Sequence, residues 1–315
     1  MILCVAGNPS IDRLFEVERI AHGDTHRPLD FVRVPGGKGL NVARAAAVLG
    51  EPVMVTGLLG GHAGRWLDEA LGAEGVRRRF VWGSWESRSS LSVSERATGM
   101  LTEFYEAGAS VTAEEWAGVE ALAVELLPGA TWIALTGSIP PGAPEDGYAR
   151  LIVAAREAGV PSAIDTRGAA LARGLEAGPD LVKINAHEAE ELLGKGVEGV
   201  EGAHRAALEI RERAGGEGHA AVVTIGADGA VLVEPDGTAI HGRLYVKGRY
   251  PVGSGDSFLA GLLSSLHRGE EWQQAMGLAL GAAAANAEIP GAGRLDPERA
   301  RELAAAHPGH LLLSE

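Results

Sequence analysis

Residues 131–166, TWIALTGSIPPGAPEDGYARLIVAAREAGVPSAIDT, hold two apolar runs joined by a helical pattern, and their order decides the fold class. TWIALTGS (131–138) and PSAIDT (161–166) show no polar alternation, so each reads as a strand buried on both faces. YARLIVAAREAG (148–159) instead spaces its apolar residues along one face of a helix. Buried strands joined by helices imply parallel pairing. The same rhythm extends outward: PVMVTGLLG (52–60) precedes RWLDEALGAEG (65–75), and DLVKIN (180–185) and AAVVTIG (220–226) each run into a turn. The expected fold is therefore α/β, a doubly wound, mostly parallel sheet flanked by helices. Its ligand crevice lies at the carboxyl ends of the strands.

Two segments break the rhythm, at about 12–35 (DRLFEVERI…HRPLDFVRV) and 86–106 (ESRSSLSVSERATGMLTEFYE). Both alternate polar and apolar residues, as antiparallel strands with one wet face do. They read as one small antiparallel β lid over the crevice, within a single domain spanning 1–315; two separate surface hairpins are the competing arrangement.

The bulk numbers narrow the function. With 46% hydrophobic and 22% charged residues, the 315-residue chain reads as a soluble globular protein. A formal net charge of −14 argues against a nucleic-acid partner, and a phosphorylated ligand would need local positive charge. Cys4, the only cysteine, lies in the apolar run ILCVAG and reads as a buried thiol, which excludes disulfide and redox chemistry. The longest apolar stretch, MGLALGAAAA (276–285), falls short of the ~20 residues that span a bilayer, and no secretory signal opens the chain, so a cytoplasmic location with no membrane partner is expected.

PVGSGDSF (251–258) opens a long apolar helix, FLAGLLSSLHRG, and places Gly253, Ser254, Gly255 and Asp256 in its first turn. Unpaired N–H groups and the positive end of the macrodipole favour an anion there, and the glycines let it approach the backbone. Asp256 could equally cap the helix. The stretch is not a Walker A loop, and Phe258 stands where a dinucleotide fingerprint needs its third glycine. PGGKGLN (35–41) fails Walker A as well, with Val32 for the first glycine and Gly39 for the Ser or Thr. HEAEE (187–191) lacks the second histidine of a zinc site.

PGGKGLNVARAAAVLG (35–50), VKINAHEAEELLG (182–194), VVTIGADGAVL (222–232) and PVGSGDSFLAGLL (251–263) occur in an order and spacing that resemble the ribokinase/PfkB-type sugar kinases across nearly the whole chain. NPSID (8–12) and TGSIPPG (136–142) resemble the 1-phosphofructokinase and tagatose-6-phosphate kinase branch. The resemblance implies ATP and Mg2+ as cofactors and Asp256 as catalytic base, with the amides of Gly253, Ser254 and Gly255 around the migrating phosphoryl group. A carboxylate in line with a sugar hydroxyl is suited to accept its proton.

The resemblance further implies that Asn185 and Glu188 serve Mg2+, through water, as oxygen donors suited to a hard cation. Lys183 would reach an ATP phosphate, Thr224, Gly226 and Gly229 would form the nucleotide-side loop, and Asn286 would lie near the adenine. For Lys183 a surface ion pair competes, for the loop an ordinary hairpin, and for Asn286 a structural role in its helix. Asp12, Gly37 and Asn41 would bind sugar hydroxyls, with Lys38, Arg88 and Ser138 on the sugar phosphate. Where the branch carries Thr-Arg-Ile-Asn-like and Asn-x-Pro-Gly-like runs, this chain has Ser90, Tyr105 and Ala107, which leaves the sugar open.

The expected activity is transfer of phosphate from ATP to a ketohexose phosphate, fructose 1-phosphate foremost, with tagatose 6-phosphate and fructose 6-phosphate as alternatives. A homodimer paired through the lid is the expected assembly. A non-catalytic sugar-phosphate sensor is the rival from another class, and the intact Asp256 beside its glycines argues against it.

Overall fold

The computed structural model describes residues 1–246, 248–306 and 310–312. Its larger sheet has 11 strands. The parallel part runs, in spatial order, Ala220–Thr224, Leu181–Asn185, Ser162–Asp165, Trp132–Thr136, Ile2–Ala6, Val53–Gly60 and Arg77–Arg78, with Val81–Gly83 also against Val53–Gly60. Ala230–Val233, Ala239–Gly242 and His310–Leu312 extend one edge in antiparallel pairing. The strand order reverses around Ile2–Ala6, which pairs with Val53–Gly60 on one side and Trp132–Thr136 on the other.

Alternation along each strand explains why helices cover both faces. Leu3 and Val5 point with Ile133, Leu135 and Ile164 into one core, against the helices Ala113–Leu126 and Gly147–Glu157. Cys4 and Ala6 point with Ala134 and Ala163 into the other, against Lys38–Val48, Ser254–His267 and Trp272–Glu288. Both cores are closed to solvent, so truncating Ile133 to alanine is expected to cost about 2–5 kcal/mol. Close approach sets one sequence requirement. A Cβ at Gly39 would sit 2.5 Å from the Ala6 Cα, so the first turn of Lys38–Val48 can lie on the central strand only because residue 39 has no side chain.

The two segments that break the α/β rhythm form one sheet of four strands, in the order Asp30–Gly36, Ser10–Val17, Arg88–Glu95, Leu101–Tyr105. The outer pairs are antiparallel, and a parallel pairing of Ser10–Val17 with Arg88–Glu95 joins the two segments. Its register sorts the side chains. Asp12, Ser90 and Tyr105 stand opposite one another and line the cleft beneath, while Phe15, Phe31, Leu91, Val93 and Phe104 share the other face. Among the described residues no helix is long and apolar enough to cross a membrane.

Candidate active site

A cleft of about 1230 Å³ lies at the carboxyl ends of the parallel strands, roofed in part by the small sheet. Every site residue expected from the sequence lines it except Asn286.

The helix Ser254–His267 supplies one end. Its N-cap, Gly253, has φ of 80°, a left-handed conformation, and a Cβ there would meet the Ala292 Cβ at 2.6 Å. No side chain caps this start, so its first-turn N–H groups are free of side-chain acceptors. Asp256, one residue past Gly255, does not cap. Its buried carboxylate accepts from Asn41 Nδ2 at 2.8 Å, and Asn41 Oδ1 is buried without a partner. Burial and the nearby Asp165 charge push the Asp256 carboxyl up to about 7, although Lys38, Lys183 and Asn41 pull the other way.

A chain of buried charges lies beside it. Asp165, fully buried at the end of the strand Ser162–Asp165, accepts from Lys38 Nζ at 2.6 Å and from Lys183 Nζ at 2.7 Å. Lys38 Nζ also reaches Glu188 Oε1 at 2.9 Å. Burial alone would raise the Asp165 carboxyl, but the Lys183 and Lys38 ammonium groups outweigh it and hold the group below its usual range. Lys38 shows the mirror effect: burial would lower it, but Asp165, Glu188 and Asp256 keep it charged.

Lys38, expected on the sugar phosphate, lines the cleft with its ammonium bound to two carboxylates, which leaves one of its three N–H groups.

Asn185 and Glu188 begin the helix Ala186–Leu193 as a reciprocal cap. Asn185 Oδ1 accepts from the Glu188 N–H at 2.9 Å, and Glu188 Oε2 accepts from the Asn185 N–H at 3.0 Å. Each of these oxygens has acceptor capacity beyond that bond, and both residues line the cleft, a donor set for a hydrated hard cation rather than a closed cage. Among the described residues no group of three His, Cys, Asp or Glu side chains could hold a metal by itself.

On the opposite side Asp12 accepts from Ser10 Oγ at 2.5 Å and from the Gly37 N–H at 3.3 Å, and burial raises its carboxyl despite both bonds. Arg88 donates from Nε and Nη2 to the Asn8 carbonyl, each at 3.1 Å, and from Nη1 to Ser90 Oγ and the Glu106 carbonyl, each at 3.2 Å. Ser138 Oγ accepts from Asn8 Nδ2 at 3.3 Å. Thr224, Gly226 and Gly229 sit in the hairpin between Ala220–Thr224 and Ala230–Val233, facing an apolar wall of Leu244, Val246, Ala283, Ala284 and Ala287.

Asn286 departs from the nucleotide role. It is fully buried, accepts from Ser257 Oγ at 3.0 Å and the Gly293 N–H at 2.9 Å, and donates to the Val252 carbonyl at 2.9 Å. With a further bond from Nδ2 to Ser254 Oγ at 3.4 Å its amide is saturated and braces the start of Ser254–His267, and its helix neighbours Ala283 and Ala287 line the cleft instead.

Sequence reasoning missed Asp165 and Arg167, which lines the cleft two residues later. The available signal was PSAIDT itself, an apolar strand ending in a carboxylate with no local partner.

Comparisons with known proteins fit this architecture. A family model described as pfkB family carbohydrate kinase matches residues 3–299. Phosphofructokinase-2 from Escherichia coli, in a structure with fructose-6-phosphate, is 28% identical, with a TM-score of 0.85 over 97% of each chain. A possible 1-phosphofructokinase from Thermotoga maritima shares the fold at 23% identity and a TM-score of 0.85 over 99% of each chain. Ribokinase of Arabidopsis thaliana, complexed with ribose and ATP, shares it at 22% identity and a TM-score of 0.75, over 96% of this chain and 98% of that one.

Proposed function

The chain belongs to the pfkB family of carbohydrate kinases, and from that premise we propose that it transfers the γ-phosphoryl group of ATP to a ketohexose phosphate, converting fructose 1-phosphate to fructose 1,6-bisphosphate. One observation carries the reading: the Asp256 carboxylate faces the cleft beside an uncapped, glycine-flanked helix start, held by Asn41 and raised to about 7. A base near working pH can take a hydroxyl proton, and the amides beside it can hold the charge of a phosphoryl group in flight.

In this mechanism the sugar O6 attacks the γ-phosphorus as its proton passes to an Asp256 oxygen. The bond from the γ-phosphorus to the β,γ-bridging oxygen breaks, and ADP leaves with that electron pair. Asp12, the Gly37 backbone and the unpartnered Asn41 Oδ1 orient the sugar hydroxyls. Arg88 and Ser138 face the acceptor's phosphate, and Lys183 with Thr224, Gly226 and Gly229 faces the nucleotide. Glu188 and Asn185 would hold hydrated Mg2+, which when bound neutralises charge on the ATP phosphates. We read the small sheet as the lid of a single domain, and its half-exposed face around Phe15, Phe31 and Phe104 suits pairing with a second copy.

A second reading, fructose 6-phosphate phosphorylated at O1, draws support from the likeness to phosphofructokinase-2 of Escherichia coli. A coupled assay for ADP release across fructose 1-phosphate, fructose 6-phosphate, tagatose 6-phosphate and free fructose tests both. The largest kcat/KM is expected for fructose 1-phosphate. No ADP release with any ketohexose phosphate would overturn the kinase reading and favour a sensor.

A further inference from the structure

We propose that Arg167, which no sequence motif singles out, is the principal anchor of the acceptor's phosphate and hence a specificity-determining residue of this cleft. The inference rests on the ketohexose-phosphate reading above and sharpens it.

Among the described residues four basic side chains line the cleft, Lys38, Arg88, Arg167 and Lys183. Three are already engaged. Lys38 is held by Asp165 and Glu188, and Lys183 by Asp165. Arg88 directs Nε, Nη1 and Nη2 into four hydrogen bonds to Asn8, Ser90 and Glu106, which leaves one of a guanidinium's five N–H groups. Arg167 is exposed and its side chain makes no hydrogen bond or ion pair with any described residue, so its whole fork is open. A dianionic phosphate entering this pocket meets one planar, bidentate donor that need not break an existing contact.

Position places that donor on the acceptor side. The strand Ser162–Asp165 lies between Trp132–Thr136, which leads to Ser138, and Leu181–Asn185, which leads to the nucleotide loops. Two bonds tie the residues just before Arg167 to the first neighbour: Thr166 Oγ donates to the Gly137 carbonyl at 2.9 Å, and the Gly137 N–H donates to the Asp165 carbonyl at 2.9 Å. Ser138 and Arg167 therefore flank one rigid junction. Arg88 feels the same neighbour: burial holds its guanidinium below the usual range, opposed by Asp12, Tyr105 and Glu106, and the Arg167 charge adds to the lowering. Two guanidinium groups facing one cleft repel until an anion is set between them.

Steady-state kinetics of wild type and of Arg167→Ala and Arg167→Lys, varying fructose 1-phosphate and ATP separately, test the proposal. Arg167→Ala is expected to raise KM for the sugar phosphate on the order of 10- to 100-fold, with kcat changed less than about threefold and KM for ATP unchanged. Arg167→Lys should recover part of the loss, because it restores the charge without the fork. Melting curves should coincide with wild type, since the side chain has no partner to lose. An unchanged KM for the sugar phosphate, or a rise in KM for ATP instead, overturns the inference while leaving the kinase reading intact. A wild type that phosphorylates only free sugars removes the reading itself, and the inference with it.

Discussion

Two helices open onto the same cleft with opposite treatment of their first turns. Ala186–Leu193 closes its own start: Asn185 and Glu188 exchange bonds with each other's backbone, and Lys38 fixes the outer carboxylate oxygen. Ser254–His267 leaves its start open, with a left-handed glycine at the cap position, no side chain over the amides, and an aspartate turned sideways to Asn41. The contrast separates two uses of the same backbone feature. A capped start is a rigid mount for side-chain oxygens, whereas an uncapped one offers its own N–H groups to a ligand.

The sharpest way to break the contrast is to remove the charge at the open start. Asp256→Asn can keep an amide partner for Asn41 but cannot take a proton, so kcat should fall roughly 10²- to 10⁴-fold while calorimetry still shows ATP binding. Near-normal turnover would mean that the base lies elsewhere.

The same carboxyl gives a pH dependence. With Asp256 raised to about 7 in the folded protein, kcat/KM should drop about tenfold per pH unit below that value. For stability the sign is opposite to that of an ion-paired acid. The native state binds this proton more tightly than the unfolded chain, so its contribution is full below the ordinary value of 3.8 and is lost as pH rises through about 7. Asp256→Asn should therefore melt higher than wild type at pH 8, with the advantage gone near pH 4.

Gly253→Ala probes the geometry of the open start. Left-handed backbone and backbone atoms of Ala292 and Gly293 within 3 Å of the new Cβ should cost roughly 2–4 kcal/mol in denaturant unfolding. At the capped start Asn185→Ala should cost about 1 kcal/mol by the same measurement. Glu188→Gln, which can still bond the Asn185 N–H, should instead shift the Mg2+ concentration needed for half-maximal activity upward by a few-fold. An unshifted Mg2+ requirement would reduce Glu188 to a capping residue.

The parts of the site that sequence reveals are those whose chemistry is local. Gly253 to Asp256 announce a helix start, and the alternation in 12–35 and 86–106 marks antiparallel strands with one wet face. The residues whose setting the sequence leaves open depend on what lies across the fold. Lys38 and Asp165 are 127 residues apart, and only the packing of Lys38–Val48 on the central strand brings them together. For Asn286 the resemblance implies a place near the adenine, with a structural role in its helix as the competing reading. The rotation of that helix turns its amide inward, to Ser257, Gly293 and Val252.

Period and turn chemistry in the sequence alone determined that the strands are buried, that helices join them and that glycines open the helix after residue 253. Tertiary structure decided which charges are free. A lysine, an arginine or a carboxylate is the same residue on paper whether its partners are water or one another. Only the packing of helices and strands across the fold shows that Lys38, Lys183 and Arg88 are engaged and that the Arg167 side chain is not.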